Sequence, residues 1–345
     1  MKKYLYSLAL LLVISINAYA DGLTATLQQG DQMTPFYGDN AFLNAYKAAD
    51  SGAVIILSPG DFYVPDTIKK EISIIGAGAF GDNTISVTSF IRLLVKADNV
   101  KLEGIYFRGT GTNCLTLLGT KNCYIKRCRI LGNIKATIPH YNTIIDNCVI
   151  NEDQASGCGM KYCIKNSIIG HFLLNTAYTD RQIYVTNCVI LDFAYYGSGS
   201  WSYTQPIGIY KNNVLGYNCT TNSASVRTLV PPSEFYSNLI LSTHTTNYDK
   251  LQFHSNCIKS GNNTGLLKTY YTGSYETYSK NIAGLYSLRW MSKETKGQDG
   301  TNIGVTGGSG FSIYPSIPRV VSKTISSSTD KDGKINVKLT VEVEQ

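Results

Sequence analysis

Three side chains that can exchange protons stand at matched positions in the sequence. They lie five residues past three successive copies of a repeated asparagine motif, and they are Glu152, His171 and Asp192. If the copies are rungs of a parallel stack about 4.8 Å apart, Glu152 and Asp192 lie two rungs, roughly 9.6 Å, from each other. This separation is close to the upper limit for inverting glycoside hydrolysis, in which one carboxyl group protonates the leaving oxygen and the other activates water. The spacing predicts Glu152 and Asp192 as acid and base, with His171 assisting proton transfer.

The same count indicates one binding residue and leaves a plainer interpretation open. Five residues past the next copy of the motif stands Tyr217, which we expect to contact substrate. The plainer interpretation is that this position begins a solvent-exposed loop, where polar residues are common. Since the loops differ in length, a slip of one residue would scatter the column.

An aromatic segment begins at Asp192. The stretch "DFAYYGSGSWSYTQP" (192–206) sets four aromatic residues among glycine and serine. Exposed aromatic rings offer flat apolar surfaces on which the apolar faces of sugars can pack. We therefore predict substrate contacts from Tyr195, Tyr196, Trp201 and Tyr203. The alternative is that the segment folds back and packs over the coils.

The elements that must position these residues come from a repeat of about 22 residues. Its copies include "IIDNCVI" (144–150), "CIKNSII" (163–169) and "YVTNCVIL" (184–191). The intervals between copies vary from 18 to 26 residues, which fits a solenoid whose loops vary while its strands keep their register. The anchoring positions are Gly104, Arg127, Asn147, Asn166, Asn187, Asn212, Asn238, Asn256 and Asn281.

Each copy indicates a strand, a sharp bend at the anchor and a second strand. Asparagine suits such a bend because it tolerates left-handed backbone angles. In a stack of coils the anchoring asparagines would lie above one another. We therefore expect the amides of Asn147, Asn166, Asn187 and Asn212 to hydrogen-bond in a ladder along the axis.

Cysteine recurs at the position after the anchor. A small apolar side chain that tolerates burial suits an inward-facing slot, so the pattern predicts that this position packs in the core. Adjacent coils would bring neighbouring cysteines close enough for a disulfide. A chain of this size buries a core large enough to be stable without disulfides, and we therefore predict free thiols. The recurring cysteines are Cys128, Cys148, Cys188 and Cys257.

Three segments resemble the first coils of the pectin-lyase-like superfamily. They are "DNAFLNAYKAADSGAVIILSPGDFYV" (39–64), "ISIIGAG" (72–78) and "NVKLEGIYF" (99–107), and the resemblance extends over about residues 38–315. It implies an all-β fold, a right-handed parallel β-helix whose first coil is capped by a short helix. Residues 40–49 favour a helix, and Asp39 is its expected N-cap. The superfamily includes lyases, hydrolases, esterases, phage tailspikes and binding proteins, so the resemblance specifies function weakly.

Known catalytic signatures of that superfamily are absent from the sequence. It contains neither the G-H-G and R-I-K motifs of polygalacturonase-like enzymes nor the calcium-binding aspartate run of pectate lyases. No cysteine pair stands near a histidine pair that would complete a zinc site. We predict no metal and no other cofactor. We expect interaction with an extracellular polysaccharide, with cleavage by a lyase or glycoside hydrolase mechanism left open; the alternative is a non-catalytic glycan-binding, adhesin or structural protein.

The first twenty residues have the layout of a secretory signal peptide. Lys2 and Lys3 precede an apolar stretch over 8–14, and Ala18-Tyr19-Ala20 resembles a cleavage site. The apolar stretch is shorter than the roughly 20 residues that a bilayer requires, and no later segment fits one. Without Lys2 and Lys3, 29 basic side chains face 24 acidic ones. This mild excess of positive charge is compatible with a glycan partner and does not indicate a nucleic-acid partner. We predict a secreted protein with no nucleic-acid partner and no membrane span.

The chain therefore divides into a signal peptide (1–20), a β-helix (21–315) and a C-terminal β tail (316–345). In the tail, apolar residues alternate with polar ones after the turn "DKDGK" (330–334), which is typical of a strand. We expect this strand to pair with residues 319–325 as a hairpin, or to pack along the solenoid. The alternating apolar residues are Ile335, Val337, Leu339, Val341 and Val343.

Overall fold

The protein folds as an all-β parallel solenoid, described here from a computed structural model. The structure describes residues 22–80, 87–109, 114–138, 142–154, 162–173, 183–192, 208–217, 234–242, 258–260, 296–297, 299–312, 314, 316, 319–325, 328, 334–335 and 337–342. The predicted signal peptide (1–20) lies outside these residues. Within the described part of the chain, the single helix is too short to cross a membrane.

The described residues form one helix, α1 (Ala41–Ala48), and 25 strands. In chain order the strands are β1 (Thr24–Gln29), β2 (Gln32–Tyr37), β3 (Ala53–Leu57), β4 (Gly60–Asp61), β5 (Ile72–Ile75), β6 (Thr88–Phe90), β7 (Leu93–Val95), β8 (Lys101–Glu103), β9 (Ile105–Phe107), β10 (Leu115–Leu118), β11 (Tyr124–Lys126), β12 (Arg129–Ile138), β13 (Thr143–Asp146), β14 (Val149–Gln154), β15 (Tyr162–Lys165), β16 (Ile168–Leu173), β17 (Ile183–Thr186), β18 (Val189–Asp192), β19 (Gly208–Lys211), β20 (Val214–Tyr217), β21 (Glu234–Tyr236), β22 (Leu239–Ser242), β23 (Ile258–Ser260), β24 (Arg319–Ile325) and β25 (Val337–Glu342).

Successive strands of the solenoid alternate between two long sheets. One has the order β2-β1-β3-β5-β8-β11-β13-β15-β17-β19-β21 and is parallel from β3 onward. The other has the order β23-β22-β20-β18-β16-β14-β12-β9-β6-β4, with β7 and β10 joined to it through β12. Each coil thus places one strand in each sheet and hydrogen-bonds to the next coil. This arrangement confirms the predicted all-β parallel solenoid.

The bend between the two sheets is held by residues with left-handed backbone angles. The predicted anchors Asn256 and Asn281 lie outside the described residues, and six of the other seven have a positive φ, which glycine and asparagine adopt at low cost. One anchor is wrong: Lys211 pairs with Tyr236 and Val214 with Leu239, so the bend residue is Ser237 and not Asn238. The bend residues are Gly104, Arg127, Asn147, Asn166, Asn187, Asn212 and Ser237, with φ between 46° and 66°.

The inward positions of successive coils lie in register and fill the core. Ile125, Ile145, Ile164 and Val185 are paired in sequence along one sheet and are buried. The column continues to Tyr210 and Phe235, whose rings stack with centroids 4.9 Å apart. Burial of each of these side chains stabilises the fold by about 1.5–3 kcal/mol.

The slot after the bend is also buried, as the sequence predicts. Cys128, Cys148 and Cys188 are free thiols, and each Sγ donates to carbonyl oxygens of its own and the preceding coil. Burial raises the pKa of Cys148 and of Cys188, which keeps both thiols protonated. Cys257 lies outside the described residues.

Further along the stack the same slot holds two asparagines. Cys188 N–H donates to Asn213 Oδ1 (2.8 Å), and Asn213 N–H donates to Asn238 Oδ1 (2.9 Å). The amide nitrogens donate in turn to backbone carbonyls, Asn213 to Val185 and Asn238 to Tyr210, both at 2.8 Å. These buried amides are therefore satisfied, as burial of a polar group requires.

The predicted ladder of bend asparagines is wrong at its named positions. An asparagine ladder does exist, at a second bend where Asn99, Asn122 and Asn142 also have positive φ. Asn122 Nδ2 donates to Asn99 Oδ1 (3.1 Å), and Asn142 Nδ2 donates to Asn122 Oδ1 (3.0 Å). The amides of Asn147, Asn166, Asn187 and Asn212 bond elsewhere, because a later segment of the chain lies against them.

That segment, residues 299–312 with Tyr314 and Ser316, is called the strap below. It runs along the bend residues in the direction opposite to the advance of the coils. Asn212 Nδ2 donates to Asp299 (3.0 Å) and Asn187 Nδ2 to Asn302 O (2.9 Å). Further down the stack, the strap bonds to Asn166, then to Asn147, and finally to Arg127 and Glu103.

The strap also covers an apolar stripe on the outside of the solenoid. The position two residues past each bend faces outward, since its neighbours on either side face the core. Ile303 and Val305 of the strap are buried against this stripe, with Phe311 packed beside them. The stripe consists of Val149, Ile168, Val189, Val214 and Leu239.

The first coil packs against α1 and against β1 and β2. Phe42 of α1 is buried, and its ring stacks on Phe90 with centroids 5.4 Å apart. The predicted N-cap is wrong by one residue: Asn40 occupies that position without a side-chain bond. The Gly38 carbonyl accepts the Ala41 N–H at 2.8 Å, which fixes the start of the helix after Asn40.

The C-terminal strands confirm the predicted hairpin. β24 and β25 pair antiparallel, from Arg319 opposite Glu342 to Ile325 opposite Val337. Val337 and Ile335 are exposed.

Candidate functional site

The three predicted catalytic residues lie in one backbone column. Glu152 on β14 pairs with His171 on β16, and His171 pairs with Asp192 on β18. Each strand pairing is parallel, so the backbone positions of Glu152 and Asp192 are two rungs, roughly 9.6 Å, apart. The register expected from the repeat is confirmed for these three positions; Glu152 and His171 lie within strands, and Asp192 is the last residue of β18.

The other predicted binding residues lie beyond this column or outside the described residues. Tyr217 ends β20 and pairs with Ser242 of β22. The pairing of β18 with β20 covers Val189 with Val214 and Ile190 with Leu215, and it stops before Asp192 and Tyr217. The aromatic residues Tyr195, Tyr196, Trp201 and Tyr203 lie outside the described residues.

The column stands at the edge of a further face of the solenoid, called the third face below. It is formed by β7, β10 and the second halves of β12, β14 and β16. The paired residues Leu93, Leu115, Ile134, Asp153 and Phe172 define its register. Glu152 and His171 directly precede two of these residues, and Arg92 directly precedes Leu93. Along this register Leu93 and Asp153 are three rungs, roughly 14 Å, apart.

The corner between the second sheet and the third face is a local irregularity of β12. The register with β14 shifts between Ile130 and Asn133, and pairing resumes with Asn133 opposite Glu152. Asn133 is buried. The shift turns the strand onto the third face, which sets the backbone positions of the column at a corner of the coil.

The described part of the third face contains an open groove. The segment 62–66 runs beside β6 and β7 and is tied to them at its two ends. Phe62 N–H donates to Ser89 O (3.1 Å), and Ile68 N–H donates to Leu94 O (2.8 Å). Between these bonds the segment has one residue more than its partner, and Pro65 has no N–H to donate. Between these bonds residues 62–65 are outside any strand, and they line the groove.

The groove has an apolar base and exposed aromatic and charged walls. Its volume is about 870 Å³. Tyr63 is 65% exposed and Ile91 is 58% exposed, although both are large apolar side chains. Phe62 and Leu93 also line the groove and are buried. The lining residues are Phe62, Tyr63, Val64, Pro65, Asp66, Ile91, Arg92, Leu93, Leu94 and Thr116.

Charges beside the groove are partly neutralised by local pairing. Arg108 Nη2 lies 3.1 Å from Asp61 Oδ2, and Ser89 Oγ also donates to Asp61. Among the described residues, Arg92 has no salt-bridge partner. Arg92 is exposed and free to donate to a ligand in the groove.

Sequence reasoning missed this groove. The stretch "FYVPD" (62–66) reads as a continuation of the first coil, and one tyrosine among 25 carries little signal. The proline inside an otherwise strand-like stretch was the available indication, because proline interrupts a sheet ladder.

The buried acid nearest the bend column has a structural role. Asp146 accepts bonds from Tyr124 Oη (2.7 Å) and Asn147 Nδ2 (2.7 Å), and it lies 3.3 Å from Lys165 Nζ. The pKa of Tyr124 is raised, mainly by burial and secondly by the hydrogen bond to Asp146. Asp146 is thus fully engaged by its neighbours. Among the described residues, no cluster of His, Cys, Asp and Glu is placed to hold a metal ion.

Comparison with protein-family models, with curated proteins and with solved structures gives no significant match to this chain.

Proposed function

We propose that this protein is secreted and that it binds and cleaves an extracellular polysaccharide along its third face. The observation that carries the proposal is the in-register pairing of Glu152, His171 and Asp192. Two carboxylates and an imidazole on adjacent rungs supply the groups that glycoside hydrolysis requires.

The spacing supports an inverting mechanism. One carboxyl group donates its proton to the glycosidic oxygen as the bond to the leaving sugar breaks. The other carboxylate takes a proton from a water molecule that attacks the anomeric carbon from the opposite face. The wide separation of Glu152 and Asp192 leaves room for that water. His171, on the rung between them, assists by carrying protons between the two sites.

Finer features of the fold belong to the same proposal. We assign a right-handed parallel β-helix of the pectin-lyase-like kind, with α1 as a cap on the first coil. The burial of Phe42 against Phe90 supports the cap, because it covers apolar core at the end of the stack. The signal-peptide layout of residues 1–20 supports secretion.

Substitution of the two carboxylates tests the mechanism. We expect Glu152→Gln and Asp192→Asn each to lower the cleavage rate by about 10²–10⁴-fold, because each removes a proton-transfer group. The measurement is release of new reducing ends, and of unsaturated sugars by absorbance, from a panel of neutral and acidic polysaccharides.

Asp31→Asn is the matched control, since Asp31 is an exposed aspartate in the turn between β1 and β2, outside the column and outside the third face. It should keep the wild-type rate, and circular dichroism should show that all three variants remain folded. Wild-type rates in Glu152→Gln and Asp192→Asn would rule out this site.

A second candidate function is glycan binding without cleavage. The exposed Tyr63 and Ile91 in the groove favour it, because a binding surface needs no acid and base. Retention of the protein on glycan gels with no product from the whole panel would establish this function in place of the first.

A further inference from the structure

We infer that the groove on the third face binds a neutral sugar unit, stacked on Tyr63 and hydrogen-bonded by Arg92 and Asp66. The inference rests on the proposed function in one respect, that the ligand is a glycan. It adds a binding subsite separate from the catalytic column and a chemical class for the ligand.

The shape of the groove fits a small ligand. Its volume of about 870 Å³ lies within the usual range for ligand sites. Tyr63 and Ile91 both line it and are each more than half exposed, so they offer a joint apolar surface to a ligand. A sugar ring has an apolar face that can cover the tyrosine ring and hydroxyl groups that remain at the rim.

The charges of the groove indicate a neutral ligand. Arg92 and Asp66 are the charged residues among the described lining, and their charges cancel. The next cation, Arg108, is held by Asp61 at 3.1 Å. An acidic sugar would therefore meet Asp66 without a second free cation to offset the repulsion. A guanidinium and a carboxylate together can donate to and accept from sugar hydroxyls.

The position of the groove relates it to the catalytic column. Leu93 of the groove and Asp153 lie in one axial row, three rungs or roughly 14 Å apart, and Glu152 directly precedes Asp153. Leu94, Thr116, Lys135 and Gln154 form the adjoining row, in register from the groove to the strand that carries Glu152. A polysaccharide chain that lies along this face can occupy the groove while a more distant linkage reaches the column.

Binding of defined oligosaccharides tests the inference. The probes are the neutral hexasaccharides cellohexaose, maltohexaose, xylohexaose and mannohexaose, together with hexagalacturonate as the acidic probe. We expect at least one neutral probe to bind wild-type protein in calorimetric titration. Tyr63→Ala should raise its Kd roughly tenfold, since the stacking surface is lost. Tyr63→Phe should keep the wild-type Kd.

Tyr37→Ala is the control, because Tyr37 is an exposed tyrosine on the edge strand β2 of the other sheet and is not among the residues that line the groove. It should leave the Kd unchanged. Hydroxyl-radical footprinting of the unmodified protein gives a second readout that needs no variant. Bound hexasaccharide should protect Tyr63 and leave Tyr37 as reactive as before.

The outcomes separate the two proposals. Unchanged affinity in Tyr63→Ala, or no protection of Tyr63, would show that the groove is not the sugar-binding subsite. The proposed function would still stand if polysaccharide cleavage depended on Glu152 and Asp192. Tighter binding of hexagalacturonate than of any neutral probe would overturn the ligand class. Failure of all probes to bind would overturn the proposed binding subsite in the groove. If, in addition, the protein were not retained on glycan gels and released no product from the polysaccharide panel, the proposed function would be wrong as well.

Discussion

At the scale of single residues, the bend asparagines combine two properties. They hold left-handed backbone angles, and their amides both donate and accept hydrogen bonds. Asn166 shows the combination: Nδ2 donates to Gly307 O at 2.6 Å, and Oδ1 accepts from Ser309 Oγ at 3.0 Å. Arg127 holds the same conformation with a bulkier side chain, and its guanidinium bonds to Glu103 and Ser316.

Asp299 makes the attachment of the strap dependent on pH. Lys211 Nζ lies 2.8 Å from its carboxylate, and bonds from this lysine, from Thr301 and from Asn212 hold the pKa of Asp299 well below its usual range. A carboxyl group with a lowered pKa in the folded state stabilises that state above its unfolded pKa of about 3.9. This stabilisation is lost as the pH falls toward the folded pKa.

We therefore expect Asp299→Asn to lower the melting temperature at pH 7 and to have a smaller effect at pH 2–3. The measurement is the melting temperature by circular dichroism across this range for both proteins. Asp66→Asn, which changes an exposed aspartate away from the strap, should leave the pH profile unchanged. A constant difference between Asp299→Asn and wild type at every pH would contradict the assignment.

At the scale of elements, the strap depends on glycine where it touches the bend column. A Cβ at Gly307 would lie 1.9 Å from Asn302 O and 2.2 Å from Asn187 Nδ2. Neither group can move without breaking the bond that joins Asn187 to the strap. The strap therefore reaches the asparagines only because this position has no side chain.

Gly307→Ala is expected to destabilise the protein by about 1–3 kcal/mol, because the added methyl group must displace the strap. The measurement is the urea midpoint by circular dichroism. The control is Gly310→Asn: Gly310 has φ +78° and open space around it, and asparagine tolerates that backbone conformation. Equal losses in the two variants would show that the close contact at Gly307 has no special cost.

At the scale of the whole molecule, the strap couples coils that are distant along the axis. In a solenoid each coil contacts only its neighbours, so stability is a sum of local terms and the ends can open separately. Here one segment bonds to Glu103 near its end and to Asn212 near its start, and it covers the apolar stripe between them. We infer that these coils unfold as one unit while the strap is in place.

Loosening the strap should therefore lower the cooperativity of unfolding as well as the stability. In Gly307→Ala we expect a smaller urea m-value than in wild type, because the coils then expose their surface in separate steps. Gly310→Asn should keep the wild-type m-value. A shift of the midpoint in Gly307→Ala with an unchanged m-value would show that the coils remain coupled without the strap.

The groove and the strap escaped prediction because both depend on contacts between distant segments. Residues 62–66 line a groove only together with residues 91–94 and Thr116, which belong to other coils. The fragment around Gly307 reads as a flexible glycine-rich stretch until the asparagines against which it lies are known. The misplaced anchor at Asn238 has a similar cause: the local motif fits Asn238, while the pairing of Lys211 with Tyr236 places the bend at Ser237.

The sequence by itself determined the parallel stack, its inward columns and the register that aligns Glu152, His171 and Asp192. It could do so because each coil must bury the same face against its neighbours, and that requirement repeats the same residue types at nearly constant spacing. Only the tertiary structure decided what covers the bend asparagines and where a groove opens on the third face. Those features arise from single contacts between remote residues such as Asn166 and Gly307, and a contact made once leaves no periodic pattern in the chain.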